Sequence, residues 1–387
     1  MKRCFLIGLI FLLAAAGFWI AAAVEFNRHP EVVQASLVVL PPPDADFARV
    51  LGPAPLEFPR DFGPHPAYQT EWWYYTGNLD SKDGRHFGFQ LTFFRRGLAG
   101  PARLFERSSP WAAGQIYLAH FALTDVGANR FQSFERIERG AAGLAGAGID
   151  PAYRVWLDDW RVEQAGSDSY RLQARQGEIS LDLTLVDRKG LALQGDHGYS
   201  QKGPEAGNAS YYFSQTRLLT TGQVESDGKR FEVSGVSWMD HEFSTSMLSK
   251  GQVGWDWFAL QLSNGTEVMV YCLRRADGTT DSFSSGLFIA ADSASRPLDL
   301  ATVKIEMLDK WKSPHSGGVY PAGWRLQVPE AGLDLEIQPW IPDQENHLSF
   351  TYWEGAVKLS GSAGGAPVTG NGYVELTGYA GSLAGQF

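Results

Sequence analysis

The densest run of side chains able to do chemistry is Trp238-Met239-Asp240-His241-Glu242-Phe243. Carboxyls two residues apart repel, so one of Asp240 and Glu242 can keep its proton at neutral pH and act as a general acid. In an extended strand, Trp238, Asp240 and Glu242 share one face, while Met239, His241 and Phe243 share the other. The alternative is structural: a strand end whose carboxylates pair with arginine or cap a loop, and a histidine hydrogen-bonded in a core. Trp255-Asp256-Trp257 follows closely. Its two indoles share a face, with Asp256 opposite, and aromatic faces stabilise a developing cation as readily as they fill a core. Asp240, His241 and Glu242 are therefore the candidate catalytic residues. Trp238, Trp255, Asp256, Trp257, Glu71, Trp73 and Tyr212 are the candidate ligand contacts. Lys202 reads as solvated or paired with an acid, and Ser200 has no base beside it. His120 lies mid-strand among apolar residues.

Several chemistries lack their signatures. There is no Gly-x-Ser-x-Gly elbow, no His-Glu-x-x-His, no phosphate-binding glycine loop ahead of a helix and no zinc-type Cys/His spacing. No metal or cofactor is expected.

The elements that must position these residues read as β-strands. Of the 387 residues, 13% are Phe, Trp or Tyr and 43 are Gly, with few long runs of helix formers. Residues 115–124, 154–160, 171–174, 179–186, 216–219 and 231–239 are short runs bounded by turn residues. Residues 140–148 read as a Gly/Ala-rich loop. Only 295–300 and 107–113 are candidates for a turn or two of helix.

The chain also repeats itself. Trp72-Trp73-Tyr74-Tyr75, an Asp83-Gly84 turn and a strand ending at Arg95-Arg96 are echoed by Trp255-Asp256-Trp257-Phe258, an Asn264-Gly265 turn and Arg274-Arg275. Such turns predict type I′ hairpins with two positive φ values. Arg171-Leu172-Gln173 is echoed by Arg325-Leu326-Gln327, and Tyr211-Tyr212-Phe213 by Thr351-Tyr352-Trp353. Trp238-Met239-Asp240 is echoed by Tyr373-Val374-Glu375. The order is the same in both copies, so a duplicated all-β unit is expected, either sandwich or barrel.

The formal charge is −10. With no basic stripe, nucleic acid is not an expected partner. Residues 1–23 carry Lys2 and Arg3 ahead of an uncharged run ending Ala21-Ala22-Ala23, which reads as a cleaved signal peptide or an uncleaved membrane anchor. Either places the body of the protein outside the cytoplasm, periplasmic or otherwise extracytoplasmic. Its removal leaves a charge of −12 and Cys272 as the remaining thiol, which reads as a buried small hydrophobe. Residues 24–66 are proline-rich and read as a linker or arm, with ordered structure expected from Glu71.

The motifs Gln69-Thr70-Glu71-Trp72-Trp73-Tyr74, Phe87-Gly88-Phe89-Gln90-Leu91-Thr92-Phe93-Phe94-Arg95, Gly198-Tyr199-Ser200-Gln201-Lys202-Gly203, Trp238-Met239-Asp240-His241-Glu242 and Gly254-Trp255-Asp256-Trp257-Phe258 resemble the AttH group. That group lies within the lipocalin-like superfamily that also holds the carotenoid 1,2-hydratases (CrtC). The resemblance implies an all-β fold of two tandem lipocalin-like antiparallel β-barrels from an internal duplication, at 67–247 and 248–387. It also implies export, and a link to an ABC transporter system as a possible partner. Hydratases protonate an isoprenoid double bond, form a tertiary carbocation and capture it with water. Their Asp-His pair matches Asp240-His241. Where they continue with an amide and a Trp, this chain has Glu242 and Phe243, and the strand at 268–273 lacks their later acid. The expectation is a protein that binds a hydrophobic lipid- or isoprenoid-like molecule at the domain junction. The alternatives are a hydro-lyase acting there, and a transporter accessory without catalysis.

Overall fold

The computed structural model describes residues 46–98, 100, 109, 112–245 and 248–382. The expected leader at 1–23, the start of the arm and most of the possible helix at 107–113 lie outside these residues.

In the first sheet, β1 (Thr70–Ser81), β2 (His86–Gly97), β3 (Gln115–Asp125) and β4 (Arg130–Arg139) form an antiparallel meander. A second meander comprises β5 (Ala145–Gly148), β6 (Arg154–Leu157), β7 (Trp160–Gly166), β8 (Ser169–Gln176) and β9 (Ile179–Asp187). The short β10 (Leu191–Leu193) and β11 (Tyr199–Gln201) lie along β12 (Ala209–Ser226), and β13 (Lys229–Ser244) joins the meanders by pairing with β12 and β1. The second sheet repeats this plan. β14 (Gln252–Leu262), β15 (Glu267–Arg275), β16 (Ser285–Ile289) and β17 (Ser295–Pro297) follow one another. β18 (Lys304–Lys312), β19 (Val319–Val328) and β20 (Leu333–Pro339) lead to β22 (Thr351–Ala363), with β21 (Glu345–His347) alongside. β23 (Ala366–Leu376) pairs with β22 and β14, as β13 pairs with β12 and β1. Both sheets are antiparallel and curl into barrels. Among the described residues no helix is long and apolar enough to cross a membrane.

Burial follows from this arrangement. β8 and β9 alternate, with Leu172, Leu181, Leu183 and Leu185 turned into the first barrel. β1, the second half of β13 (residues 237–244) and most of β14 are instead buried without alternation. One face of each fills its own barrel, and the other packs against the second sheet, so alternation disappears from the sequence there. Buried inter-barrel contacts hold the two together. Asn78 Nδ2 donates to the Gly372 carbonyl at 2.9 Å, and Gln261 Nε2 donates to the Thr216 and Ser237 carbonyls at 2.7 and 3.0 Å. Buried Glu267 on β15 takes Lys189 at 2.5 Å and also Arg217, both from the first barrel.

Several local expectations change. The Asp83-Gly84 and Asn264-Gly265 hairpins have positive φ only at the glycine, +82° in each. In both, the glycine N–H donates to the carbonyl three residues back, giving a type I turn closed by a left-handed glycine rather than type I′. The stretch read as helix at 295–300 contains strand β17 instead, and the loop at 140–148 contains β5. Order begins before Glu71: Phe47, Val50 and Asp61 are buried, and Leu56, Phe58 and Phe62 pack on the first barrel's core. Apart from one 3-10 turn at Arg60–Phe62, the described residues of that arm have no regular structure, in keeping with their prolines.

The sheets come into direct contact where β2 faces β22. A Cβ on Gly88 would sit 2.4 Å from the Ala356 Cβ. Overpacking here strains the inter-barrel contact, so Gly88→Val is expected to lower the unfolding free energy by about 1–3 kcal/mol. Urea titration measures this, and an unchanged midpoint would mean the sheets separate at β2 without cost.

Candidate functional site

The two copies place equivalent residues in facing rows. In the first sheet, Thr92, Tyr74, Asp240 and Ser214 are directly opposite one another across β2, β1, β13 and β12. In the second, Tyr271, Trp257, Glu375 and Glu354 hold the same positions across β15, β14, β23 and β22. The rows meet at the barrel junction, where the Tyr74 and Trp257 rings stand edge to face, 5.2 Å apart. Trp238 packs at right angles to Trp257 at 6.2 Å. Tyr212, Tyr271 and Tyr373 complete a buried apolar cluster, rimmed by the half-buried Trp72 and Trp255.

Four carboxyls point into this cluster. Asp240 Oδ1 accepts from Ser214 Oγ at 2.5 Å and Trp238 Nε1 at 2.7 Å, and Oδ2 accepts from the Tyr212 hydroxyl at 2.5 Å. Burial pushes Asp240 up to about 7, against the pull of those donors, with Glu242 adding to the rise. Glu242 accepts from the Ser210 hydroxyl and lies 3.2 Å from Lys202 Nζ. That ammonium sits 4.0 Å above the Tyr271 ring. Burial would lower the Lys202 pKa, but Glu242 and Tyr271 raise it. Glu375 reaches the rim and keeps some solvent exposure, yet lies deep enough among apolar groups that burial pushes it up to about 7. It accepts from Trp255 Nε1 at 2.8 Å.

Glu354 differs from the other three. It is 1% exposed, and neither carboxyl oxygen has a hydrogen-bond partner. Burial first, and Glu375 opposite it second, push its pKa well above the ordinary range. The Tyr74 and Tyr352 hydroxyls face it and favour its charge, but neither closes a hydrogen bond onto it. Two carboxyls directly opposite on neighbouring strands cannot both ionise cheaply in such surroundings. Glu354 and Glu375 therefore form a pair that retains a proton at neutral pH.

The other face of β13 belongs to the first barrel. His241 Nε2 donates to Glu71 Oε1 at 2.8 Å, as does His65 Nδ1. Arg95 Nε donates to Glu71 Oε2 at 2.8 Å, and its Nη2 donates to the His65 and Tyr68 carbonyls, each at 2.8 Å. Burial would raise the Glu71 pKa, but Arg95 and the two imidazoles hold it well below the carboxylate range. Burial lowers the His241 pKa against the pull of Glu71. Donor atoms of His65, Glu71 and His241 lie within 4.8 Å of one another, a set a metal could use. A cation there would face the Arg95 guanidinium already bound to Glu71, so the set reads as the latch that fixes the arm over the barrel end.

The structure thus brings Asp240, Glu242, Trp238, Trp255, Trp257 and Tyr212 together. It does not bring His241, Glu71 or Trp73 to the same place: all three face the first barrel, and Trp73 Nε1 donates to the Phe62 carbonyl at 3.1 Å. Asp256 turns into the second barrel, where Arg274 Nε and the Tyr379 hydroxyl donate to it at 2.9 and 3.0 Å. Strand alternation is the common cause, since each is one residue from a junction residue. Cys272, raised to about 12 by burial, packs on the second barrel's core. Sequence reading missed Glu354 and Glu375 as functional groups. The repeat held the signal, since it aligns Glu375 with Asp240 and Glu354 with Ser214.

These shifts make stability pH-dependent. Asp240 is raised in the folded state, so folding favours its protonated form. The resulting stability is complete below the unfolded pKa of about 4 and is lost as pH rises toward about 7, at no more than about 1.4 kcal/mol per pH unit. Glu71, lowered, works in the opposite sense and contributes only above its unfolded value. The urea midpoint is expected to fall between pH 5 and pH 7, and Asp240→Asn to flatten that fall. Equal slopes in the two proteins would show that Asp240 ionises normally.

A family model described as AttH-like matches residues 49–379. An AttH protein from Nitrosomonas europaea, solved by crystallography, is 33% identical with a TM-score of 0.76, covering 86% of this chain and 100% of that one. Kievitone hydratase from Nectria haematococca shares the fold at 15% identity and a TM-score of 0.64, covering 84% of this chain and 93% of that one. No curated protein sequence matches the chain. The matched span takes in both sheets and the whole junction, and the chain belongs to the AttH-like family.

Proposed function

We propose that the junction binds an uncharged hydrophobic molecule, lipid- or isoprenoid-like, and supplies a carboxylic acid that protonates a carbon–carbon double bond in it. The observation that carries this reading is Glu354, buried, without a partner for either oxygen and opposed by Glu375. A buried polar group left unsatisfied is costly unless it serves something else. The Glu354–Glu375 pair gives its proton to the alkene, and the faces of Tyr74, Trp257 and Tyr373 stabilise the carbocation. Water then adds to the cation and loses a proton to Asp240, whose three donors favour the carboxylate. The sum is addition of water, a hydro-lyase reaction run in the hydration direction. The structural likeness to a hydratase is in keeping with this. Export on the leader-like residues 1–23 would put this activity outside the cytoplasm, where an ABC transporter system would deliver or remove the ligand.

Binding without chemistry is the second reading, and it is favoured by the pairing of the two sequence-identified acids: Asp240 is held by Ser214, Trp238 and Tyr212, and Glu242 by Lys202, as structural carboxyls are.

Native mass spectrometry of gently purified protein is expected to show a co-purified apolar molecule that Trp257→Ala loses. Against a panel of terminal isoprenoid alkenes, Glu354→Gln is expected to lower hydration by about 100-fold or more while farnesol still quenches Trp fluorescence. Unchanged turnover in Glu354→Gln would leave binding alone. Absence of both ligand and quenching would overturn the junction as a binding site.

A further inference from the structure

The junction acid is sealed from water, so a proton that leaves Glu354 must be replaced through the protein. One chain of groups leads out from it. Tyr352 lies two residues before Glu354 on β22 and so on the same face. Its hydroxyl is 2.8 Å from His120 Nδ1, across the junction in the first barrel. His120 Nε2 is 3.0 Å from Glu135 Oε2 on β4. Tyr352 and His120 are 1% and 0% exposed, whereas the Glu135 side chain is 16% exposed. The path therefore starts at solvent and ends at the buried acid.

Each link is held in place. Glu135 Oε1 accepts from the Ser349 hydroxyl at 2.5 Å, and Oε2 accepts from the Ser349 amide at 3.2 Å. His120 is packed between the Phe94 and Phe350 rings, with centroids 5.3 and 5.1 Å away. Gln90 Nε2 donates to the Tyr352 oxygen at 3.0 Å. When Glu135 carries a proton and His120 holds its hydrogen on Nδ1, the Tyr352 oxygen accepts from both Gln90 and His120, and its own hydrogen is free to turn toward Glu354. Imidazole and phenol each both give and accept a proton, which a contact serving only to join the barrels would not require.

We infer that Glu135, His120 and Tyr352 form a proton relay between solvent and Glu354. The inference rests on the reading of Glu354 as the junction acid. A proton taken up by Glu135 passes to His120 Nε2 as Nδ1 gives one to the Tyr352 oxygen. Tyr352 gives its own to the Glu354 carboxylate. One proton has moved inward: Glu135 ends ionised, Glu354 neutral, and His120 and Tyr352 neutral as before. The imidazole is left in its other tautomer and turns over before the next transfer. His120 and Tyr352 are thus positioning residues that act through Glu354.

Infrared spectroscopy after transfer to D2O tests the relay without a substrate. The buried carboxylic acid gives a C=O band that shifts on deuteration, and Glu354→Gln assigns it by removing it. In Tyr352→Phe and in His120→Phe the band is expected to remain, with exchange slowed by about tenfold or more. Thr124→Val removes a different inter-barrel hydrogen bond, the 2.7 Å contact to Gln344, and is expected to leave exchange unchanged or faster. Loosening the junction speeds exchange, so slowing separates a relay from a structural contact. A band that exchanges at the wild-type rate in both relay variants overturns the relay and leaves the junction acid standing. A wild-type protein with no band assignable to Glu354 overturns both.

Discussion

Two sheets meet along faces that a free-standing barrel would show to solvent, and that contact removes water from Asp240, Glu242 and Glu354. Lys202 is, among the described residues, the cation paired with this group, and it is committed to Glu242. Low dielectric and scarce counter-charge together keep protons on carboxyls at neutral pH. The junction's other features follow. Its walls are aromatic because they are a packed interface. Tyr212 sits beside Asp240 because a buried phenol needs an acceptor, and its hydroxyl finds one there. Strand β22 is both a wall of the second barrel and the carrier of the least satisfied acid.

β13 acts as a partition. Its even-numbered residues Trp238, Asp240 and Glu242 face the junction, and its odd-numbered residues Met239, His241 and Phe243 face the first barrel. Asp240 and His241 are neighbours in the chain but belong to different environments. One carboxyl sits among neutral donors and rises, while Glu71, on the other side, sits beside Arg95 and falls. The His65-Glu71-His241 group ties the arm to the barrel end, with the His65 ring stacked on Phe243 at 3.5 Å. The strand's conspicuous polar motif is thus divided between the junction and an anchor.

The duplication, the strand content and the face assignment of residues 238–243 were legible in the sequence, because period-two alternation and repeated motifs are local signals. The grouping of Asp240 with Trp255 and Trp257 was also within reach, since the two motifs lie close together in the chain at the boundary between the copies. Three things were not. The loss of alternation in β1, β13 and β14 hid which face met a partner, because both faces are apolar there. Glu71 and Asp256 looked like site residues because they adjoin tryptophans, and only their arginine partners, fixed by cross-strand register, show otherwise. Glu354 stood in an unremarkable Thr-Tyr-Trp-Glu run, and nothing local marks a carboxyl whose importance comes from a sheet folding over it.

The two rows share one geometry and differ in chemistry. In the first, the position beside Asp240 is Ser214, a donor, so Asp240 is served by three donors and both of its oxygens are engaged. In the second, the position beside Glu375 is Glu354, which donates nothing when ionised and is itself unserved. A carboxyl holding three donors is pulled toward its ionised form, because protonation displaces donors already bound, and so is the better proton acceptor of the two. One with no donors keeps its proton at neutral pH and so still has one to give. At this repeated position the two copies thus differ by a carboxyl for a hydroxyl, and under the proposed function that difference sets an acid across the junction from a base. Such a separation requires both copies, so the proposed site lies between the barrels rather than inside either one.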